Sequence, residues 1–272
     1  MSNISNVPQV KEIKNIKNES NTVKTFIFDW KLDSKSDYPL PGQFMMIWNF
    51  EDEKPMSLSL IDPIKEQIGF SIKKVGEFST NIHTLKKGDK LGLRGPYGRG
   101  FELIGSNILV IGGGIGMAPI SAFVDFALER GVKVDVITAS QTLHEILFRE
   151  RLQKAGAGVL SCTDDGTCGF KGFATDRLKA LLQENSYDLI VSCGPELMMK
   201  AVLDLADQYQ IPCQLALERW MKCALGLCGQ CCVDDTGWRV CVEGPVFWGH
   251  ELKLITEFGK YRRDSSGTPT SF

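Results

Sequence analysis

The sulfur-rich segment near the C-terminus constrains this chain more than any other feature of its sequence. Of nine cysteines in 272 residues, none precedes Cys162, and five fall between Cys223 and Cys241. Four of these five follow the pattern C-x4-C-x2-C-x9-C, formed by Cys223, Cys228, Cys231 and Cys241. In a cytosolic protein, cysteines concentrated in this way are metal ligands or redox groups rather than a disulfide framework. The segment has little apolar periodicity, so we expect a bound metal to order it.

The spacing of these four cysteines predicts an iron–sulfur cluster. It resembles plant-type [2Fe–2S] sites, in which three closely spaced thiolates and one distant thiolate hold two irons. Gly226 and Gly229 allow the loop to turn and its N–H groups to point at the cluster. Structural zinc is the alternative, but zinc usually prefers two C-x2-C pairs, and this segment has one. Cys232 adjoins Cys231 and stays open as the third ligand, although the spacing from Cys228 favours Cys231.

Composition argues against several other classes of protein. Apolar residues make up 43% of the chain, charged residues 24%, and the net charge is −2, which are ordinary values for a soluble globular protein. No cluster of Lys and Arg is dense enough to neutralise a phosphate backbone, so we expect no nucleic-acid partner. No apolar run approaches the roughly 18 to 20 residues that span a bilayer. Residues 1–17 lack the apolar core of a signal peptide, so we expect a cytoplasmic protein without membrane attachment.

Residues 1–103 predict a small antiparallel β-barrel. Apolar and polar residues alternate in several short runs, and Pro and Gly turns separate these runs. About six strands at this spacing are typical of a closed barrel. The predicted strands are Val10–Lys17, Thr22–Trp30, Gln43–Asn49, Met56–Ile61, Gln67–Lys74 and Lys90–Arg94.

Residues 104–217 predict a doubly wound parallel sheet, because short apolar strands alternate there with helical patterns. The first strand is Ile108–Ile111, and one of the predicted helices covers Leu143–Ala155. Residues 218–272 form the cysteine-rich module and a tail. Within that tail, we expect Asp264–Phe272 to be disordered.

A glycine-rich turn after the first strand of this sheet predicts nucleotide binding. Glycines permit a sharp turn and close approach of a pyrophosphate to the N-terminus of the helix that follows. A later strand ends in Cys193-Gly194-Pro195, at the edge where such sheets bind ligands. Ala139-Ser140-Gln141 after the second strand offers no Arg or Lys for a 2′-phosphate, and Asp164-Asp165 would repel one, so NAD is favoured over NADP. The turn itself contains Gly112, Gly113, Gly114 and Gly116.

The order of barrel, glycine turn and Cys-Gly-Pro resembles the ferredoxin–NADP reductase superfamily over nearly the whole chain. The resemblance implies that the barrel binds FAD, that the parallel domain binds the nicotinamide nucleotide, and that Cys193 lies near the nicotinamide as the candidate catalytic residue. Lys54 stands where that family has arginine, so a cation remains without the bidentate fork. Arg94-Gly95-Pro96-Tyr97-Gly98 matches the Gly-Pro-x-Gly turn of the family. The implied flavin contacts are Lys54-Pro55-Met56-Ser57, Ser71-Ile72-Lys73 and Gly76-Glu77-Phe78-Ser79-Thr80.

The C-terminal part narrows the resemblance. Glu218 to Cys231, Arg239 to Phe247 and Phe258 to Asp264 are similar to the electron transfer subunits of dihydroorotate dehydrogenase B. In that family FAD and a [2Fe–2S] cluster sit together in this subunit. A partner subunit carries FMN and oxidises dihydroorotate in pyrimidine biosynthesis. The resemblance implies electron flow from the FMN through the cluster and FAD to NAD, in a heterotetramer of two plus two subunits.

Two other functions stay open from the sequence. The chain could be an FAD and [2Fe–2S] diaphorase subunit of another complex, of the cytosolic hydrogenase or sulfide dehydrogenase type, because those cluster loops are similar. It could also be a non-catalytic redox or zinc-stapled module with the same fold. A neighbouring gene for an FMN-binding subunit would distinguish the first alternative, and a colourless purified protein would favour the second.

Overall fold

Six antiparallel strands in the first part of the chain close into a barrel, as predicted. The computed structural model describes residues 5–32 and 38–272, and the strand order of the barrel is β1-β2-β5-β4-β3-β6. Alternate side chains point inwards, and Phe26, Phe28 and Phe70 are fully buried inside the barrel. The strands are β1 (Ser5–Asn18), β2 (Val23–Asp29), β3 (Phe44–Trp48), β4 (Glu53–Asp62), β5 (Gln67–Lys73) and β6 (Lys90–Tyr97).

A short helix, α1 (Glu77–Thr84), connects β5 to β6. Phe78 and Ile82 on one face of α1 are buried against the barrel core. His83 fixes the end of the helix, because its Nε2 lies 2.8 Å from the carbonyl oxygen of Ile72 on β5. This hydrogen bond holds α1 against β5, where the sequence predicts flavin contacts.

A seven-stranded sheet follows, in the order β10-β9-β8-β7-β11-β12-β13. The first six strands in that order are parallel, and β13 pairs antiparallel with β12. The central strand β7 is covered on both faces, which explains its continuous apolar run Ile108–Ile111. The strands are β7 (Asn107–Gly113), β8 (Lys133–Ser140), β9 (Gly158–Thr163), β10 (Phe170–Lys171), β11 (Leu189–Cys193), β12 (Cys213–Ala216) and β13 (Val246–Trp248).

Helices cover both faces of this sheet, which confirms the doubly wound architecture. Side chains of α2 and α3 share one apolar core with one face, and side chains of α4 and α5 share another core with the opposite face. Within the part of the chain that the structure describes, no helix is long and apolar enough to cross a membrane. The helices are α2 (Met117–Leu128), α3 (Arg149–Ala155), α4 (Ala174–Glu184) and α5 (Glu196–Gln208).

The prediction of one helix over Leu143–Ala155 is wrong in its first half. Leu143–Glu145 forms a 3₁₀ turn, and α3 begins only at Arg149. Phe148 adopts a left-handed conformation with φ of 58°, which interrupts any continuous helix at that residue. Leu147 and Phe148 are buried, as the predicted helix required. Their spacing resembles that of a helix although the backbone before Arg149 is not helical.

The C-terminal segment returns to the sheet and then closes in a hairpin. After β13, α6 (Gly249–Leu252) is followed by β14 (Tyr261–Arg263) and β15 (Pro269–Ser271). The expectation of disorder over Asp264–Phe272 is therefore wrong, because β15 pairs with β14. Asp264 closes the hairpin by accepting hydrogen bonds from the N–H groups of Ser266 and Thr268.

Candidate functional site

The residues of the predicted flavin motif lie on two neighbouring strands of the barrel. Lys54, Pro55, Met56 and Ser57 are half-buried on β4. On β5, next to β4, Ser71 is buried, Lys73 is half-buried, and Ile72 is only 1% exposed within the barrel core. The side chain of Ile72 thus fills the barrel, whereas Ser57 lies on β4 opposite Phe44 of β3.

The turn before α1 brings Gly76, Ser79 and Thr80 together. The Ser79 hydroxyl accepts hydrogen bonds from the N–H groups of Val75 and Gly76, and it donates to the Gly76 carbonyl. Thr80 is half-buried, and its N–H donates to the same carbonyl at 2.9 Å. The hydroxyl of Ser79 therefore shapes the turn, while the exposed Gly76 lies at the N-terminus of α1, where a helix favours negative charge.

A buried polar network, which the sequence analysis missed, joins the flavin strands to the nucleotide domain. The Ser71 hydroxyl lies 2.6 Å from that of Thr25 and donates to that of Ser59 at 2.7 Å. The Ser59 carbonyl accepts hydrogen bonds from the Ser121 hydroxyl on α2 at 3.0 Å and from Arg151 on α3 at 3.1 Å. Nothing in the sequence pattern distinguishes these residues, because a single polar residue on a strand does not reveal its partner.

The glycine turn lies at the carboxyl edge of the parallel sheet. Gly112 and Gly113 end β7, Gly114–Gly116 forms a 3₁₀ turn, and α2 begins at Met117. Gly114 has a φ of +52°, and a side chain there would point into open space. The turn therefore presents backbone at the N-terminus of α2, which is the geometry that binds a phosphate.

The Cys193-Gly194-Pro195 segment packs directly against this turn. Cys193 lies opposite Gly112 in the pairing of β11 with β7. A Cβ atom on Gly116 would overlap the Cys193 carbonyl oxygen, and one on Gly113 would lie 2.6 Å from Pro195 Cδ. These glycines are thus required for the close approach of two backbone segments. The structure brings together both predicted parts of the nucleotide site.

Cys193 itself carries a neutral thiol. Burial raises the pKa of Cys193 to about 12, and the nearby carboxylate of Glu218 adds to this effect. A thiol with such a pKa is protonated throughout the physiological range and is not an activated nucleophile. Its chemical contribution at this edge is therefore that of a small polarisable group.

The acidic pair that argues against a 2′-phosphate lies at the same sheet edge. The N–H of Asp164 donates to the Ser140 carbonyl at 3.2 Å, and the N–H of Asp165 donates to the Gln141 carbonyl at 3.3 Å. Both aspartates are exposed. The pair thus lies beside the end of β8, at the carboxyl edge of the parallel sheet.

The cysteine-rich loop arranges its thiols in two pairs. The backbone N–H of Cys228 lies 3.5 Å from the Cys223 sulfur, and the backbone N–H of Cys241 lies 3.4 Å from the Cys231 sulfur. Among the residues with described positions, no three His, Cys, Asp or Glu side chains form a group that could hold one metal ion. The four cysteines of the C-x4-C-x2-C-x9-C pattern therefore form two close pairs, and an iron–sulfur cluster with two irons takes two thiolates on each iron.

Backbone N–H groups surround the sulfur of Cys223. The N–H groups of Leu225 and Cys228 lie 3.4 and 3.5 Å from its Sγ. Although burial raises the pKa of Cys223, hydrogen bonds from Leu225, Cys228 and Leu227 outweigh that effect and lower it to about 6. The loop is therefore preorganised for a thiolate at this position, as a cluster ligand requires.

Cys232 stands apart from these pairs. The Cys241 N–H donates to the Cys231 sulfur at 3.4 Å, and both residues are buried. Interaction between the two thiols raises the pKa of Cys231 and lowers that of Cys241. In contrast, Cys232 is half-buried, and burial raises the pKa of its thiol. Its backbone instead forms a bridge to Arg239. This geometry favours Cys231 over Cys232 as the partner of Cys241.

The cysteine-rich loop packs against the outer face of the barrel. Phe44 and Tyr97 from β3 and β6 share one apolar core with Ala224, Cys231 and Cys241. Phe44 is also the residue that lies opposite Ser57 of the flavin motif. The loop also contacts β6, because Arg94 donates from Nη1 to the Cys223 carbonyl at 3.0 Å, and β3 lies between β6 and the predicted flavin strand β4.

Comparison with known protein families identifies two regions of this chain. The iron–sulfur cluster binding domain of dihydroorotate dehydrogenase B matches residues 218–253, and an oxidoreductase NAD-binding domain matches residues 110–204. A probable dihydroorotate dehydrogenase B (NAD(+)) electron transfer subunit of Methanothermobacter thermautotrophicus is 58% identical over 248 residues, covering 91% of each chain. One of Methanocaldococcus jannaschii is 49% identical over 249 residues, covering 91% of this chain and 92% of its own.

Solved structures support the same relationship. An NADH-dependent reduced ferredoxin–NADP oxidoreductase, studied for flavin-based electron bifurcation, superimposes with a TM-score of 0.80 at 26% identity. That match covers 92% of this chain and 94% of the other. A ferredoxin reductase in carbazole 1,9a-dioxygenase shares the fold, with a TM-score of 0.63 at 22% identity over 75% of this chain and 66% of its own. The chain therefore belongs to the family of dihydroorotate dehydrogenase B (NAD(+)) electron transfer subunits, with an NAD-binding oxidoreductase domain and an iron–sulfur cluster binding domain.

Proposed function

We propose that this chain carries electrons from the FMN of a dihydroorotate dehydrogenase catalytic subunit, through a [2Fe–2S] cluster and FAD, to NAD in pyrimidine biosynthesis. The observation that carries this proposal is the contact between the cysteine-rich loop and the barrel, where Arg94 of β6 donates to the Cys223 carbonyl at 3.0 Å in the same barrel that carries the flavin motif on β4. The glycine turn and Cys193 lie at the edge of the adjoining sheet. Three cofactor sites thus adjoin one another within one chain, as a relay requires.

The donor set fits an iron–sulfur cluster held by Cys223, Cys228, Cys231 and Cys241. Two thiol pairs are present, and backbone N–H groups point at the Cys223 sulfur. In this assignment Cys232 is a free thiol beside the cluster. Residues 218–272 form the cluster module and tail, after an FAD-binding barrel over residues 1–103 and an NAD-binding domain over residues 104–217.

The barrel provides the groups that would hold FAD. Lys54, Pro55, Met56 and Ser57 on β4 and Ser71, Ile72 and Lys73 on β5 form the flavin strands, with Ile72 contributing through its backbone. Gly76, Ser79 and Thr80 form the turn that receives the pyrophosphate at α1. When bound, FAD exchanges a hydride with the nicotinamide and single electrons with the cluster.

The sheet edge provides the groups that would hold NAD. Gly112, Gly113, Gly114 and Gly116 bring the backbone close to the pyrophosphate at the N-terminus of α2. Gly194 and Pro195 shape the neighbouring loop, and Cys193 orients the nicotinamide as a neutral thiol. The exposed aspartates beside β8 select NAD by repelling a 2′-phosphate.

An exposed apolar surface supports docking of the catalytic partner at the cluster. Leu225, Leu227 and Val242, which we call the apolar collar, are 39%, 81% and 41% exposed. Leu225 and Leu227 flank Gly226, and a Cβ atom on Gly226 would lie 2.8 Å from Val242. The collar adjoins the exposed Cys228, so a partner seated on it comes within electron-transfer reach of the cluster. The family resemblance supports a cytoplasmic heterotetramer of two plus two subunits.

The decisive experiment is co-purification with the candidate FMN-containing subunit, followed by an assay of dihydroorotate-dependent NAD reduction. We expect activity that requires both chains, together with the absorbance of flavin and a [2Fe–2S] cluster. The matched control is the complex with Cys228→Ser, which should retain FAD and lose this activity. A coloured complex that oxidises NADH but ignores dihydroorotate would contradict the proposed partner and favour a diaphorase of another complex.

A further inference from the structure

The strand β6 carries a buried arginine on the face of the barrel that meets the cysteine-rich loop. Arg94 lies opposite Met46 of β3, and its side chain is only 9% exposed. Neither the flavin motif nor the four cysteines require an arginine at this place. A guanidinium buried to this extent must have partners for its charge and its N–H groups, because an unpaired buried charge costs several kcal/mol.

Arg94 satisfies four of its five N–H donors within the protein. Its Nε and Nη2 donate to the two carboxylate oxygens of Glu53, each at 2.6 Å, in a bidentate fork. Its Nη1 donates to the Tyr97 hydroxyl and to the backbone carbonyl of Cys223, each at 3.0 Å. The guanidinium of Arg94 thus connects Glu53, the first residue of β4, with Cys223, the first cysteine of the cluster loop, which lies 129 positions after Arg94.

Resting on the proposed function, we propose that Arg94 is a positioning residue that couples the cluster loop to the flavin strand and, through its charge pair with Glu53, tunes the reduction potential of the cluster. Glu53 immediately precedes Lys54, so the fork is anchored on the strand assigned to FAD. The contact with Cys223 is to the backbone of a proposed ligand, whose sulfur also accepts backbone N–H groups. The separation between the two redox sites is thereby held by a rigid guanidinium.

Because Arg94 and Glu53 carry opposite charges, the direction of the shift in the cluster's reduction potential tests this inference. Reduction adds one negative charge to the cluster, so a nearby cation stabilises the reduced state and a nearby anion destabilises it. In the wild-type chain the effects of the Arg94 and Glu53 charges on the reduction potential largely cancel. Arg94→Met leaves the Glu53 carboxylate unpaired, whereas Glu53→Gln leaves the guanidinium unpaired. The two variants therefore shift the potential in opposite directions, which loosening of the loop would not do.

The experiment is a redox titration of the holoprotein, followed by the electron paramagnetic resonance signal of the reduced cluster. We expect Arg94→Met to lower, and Glu53→Gln to raise, the equilibrium constant for cluster reduction by about tenfold, which is about 59 mV for a one-electron couple. Arg94→Lys keeps the charge without the fork, so its potential should stay near that of the wild type. The control pair is Asp62 and Lys65, an ion pair at the far end of β4 with an exposed lysine, and Lys65→Met should not change the potential.

Each outcome bears on one of the two proposals. Shifts of equal sign in Arg94→Met and Glu53→Gln, or potentials equal to that of the wild type, would overturn the role of Arg94 while leaving the cluster assignment intact. A wild-type chain with FAD but no reducible cluster would overturn the proposed function and this inference together. If Arg94→Met does not fold, the shift in Glu53→Gln decides the question, because that variant retains the hydrogen bond to Cys223.

Discussion

Arg219 and Glu257 form a buried ion pair, with 2.7 Å between Nε and Oε1 and side chains that are 3% and 0% exposed. Glu196, the first residue of α5 after Cys193-Gly194-Pro195, accepts hydrogen bonds from the other edge of the guanidinium at 2.6 and 3.2 Å. The second oxygen of Glu257 accepts the N–H of Asp234 in the cluster loop. Arg219 therefore joins the nucleotide edge to the cluster module, in the same way that Arg94 joins the barrel to it.

Arg219→Met should lower the free energy of unfolding by about 3 to 5 kcal/mol, because it leaves two buried carboxylates without their shared partner. Urea unfolding followed by circular dichroism measures this loss. Arg130→Met is the matched control, since Arg130 pairs with Glu129 on the exposed surface at 4.0 Å, and it should change the stability by less than about 0.5 kcal/mol. A loss below about 1 kcal/mol for Arg219→Met would show that the ion pairs of Arg219 with Glu196 and Glu257 contribute little to stability.

Gly116→Ala should weaken binding of NADH without loss of FAD. The new methyl group would overlap the Cys193 carbonyl, so the glycine turn must move away from the Cys193-Gly194 backbone. We expect the KM for NADH to rise roughly tenfold to a hundredfold. Gly131→Ala is the control, because Gly131 has a φ of +75° with open space around it and should cost stability only. An unchanged KM in Gly116→Ala would remove this turn from the nucleotide site.

Cys228→Ser should remove the visible absorbance of the cluster and block electron transfer to the partner. NADH oxidation by a dye should continue, because the dye takes its electrons from FAD. Cys232→Ser is the control and should retain iron and the cluster spectrum, since Cys232 lies outside both thiol pairs. Loss of the cluster in Cys232→Ser, with retention in Cys231→Ser, would reverse the assignment of the third ligand.

Acidification should destabilise the barrel through His83. Burial lowers the pKa of His83 below its usual 6.5, and the ammonium groups of Lys24 and Lys74 act in the same direction against the hydrogen bond to Ile72. The unfolded chain therefore binds the proton first as pH falls. The stability contributed by neutral His83 is complete above about pH 6.5 and is lost as pH falls towards the folded pKa.

Urea unfolding between pH 5 and pH 7 measures this dependence. In the wild type the free energy of unfolding should fall as pH is lowered over that range, and His83→Gln should reduce this fall. Equal slopes for the wild type and His83→Gln would contradict the role of His83.

Leu227→Lys should weaken binding of the catalytic partner by about tenfold or more, because it places a charge at the most exposed position of the apolar collar. Surface plasmon resonance with the purified partner measures the affinity, and the cluster spectrum should be unchanged. Ile64→Lys is the matched control, since Ile64 is 81% exposed on the barrel, away from the cluster. Equal affinities for the wild type and Leu227→Lys would move the docking surface elsewhere.

Several features of the site could be predicted because they depend on residues close together in sequence. Alternation along β2 and β5 indicated the barrel, and the spacing of Cys223, Cys228 and Cys231 indicated a thiolate loop. Local pattern was ambiguous for Leu143–Ala155, where buried side chains without helical geometry imitate a helix. Composition led to the wrong expectation of disorder for β15, because the pairing of β15 with β14 depends on hydrogen bonds that composition does not reveal.

The sequence by itself determined the order of barrel, parallel sheet and cysteine-rich segment, since each arises from a repeat or spacing among near neighbours. Only the tertiary structure decided how these parts meet. Arg94 reaches Cys223 across 129 positions, and Arg219 reaches Glu257 across 38. Such pairs form because packed surfaces exclude water and each buried charge must then find its partner in the folded chain. The periodicity of the sequence does not predict which residue becomes the partner of a buried charge.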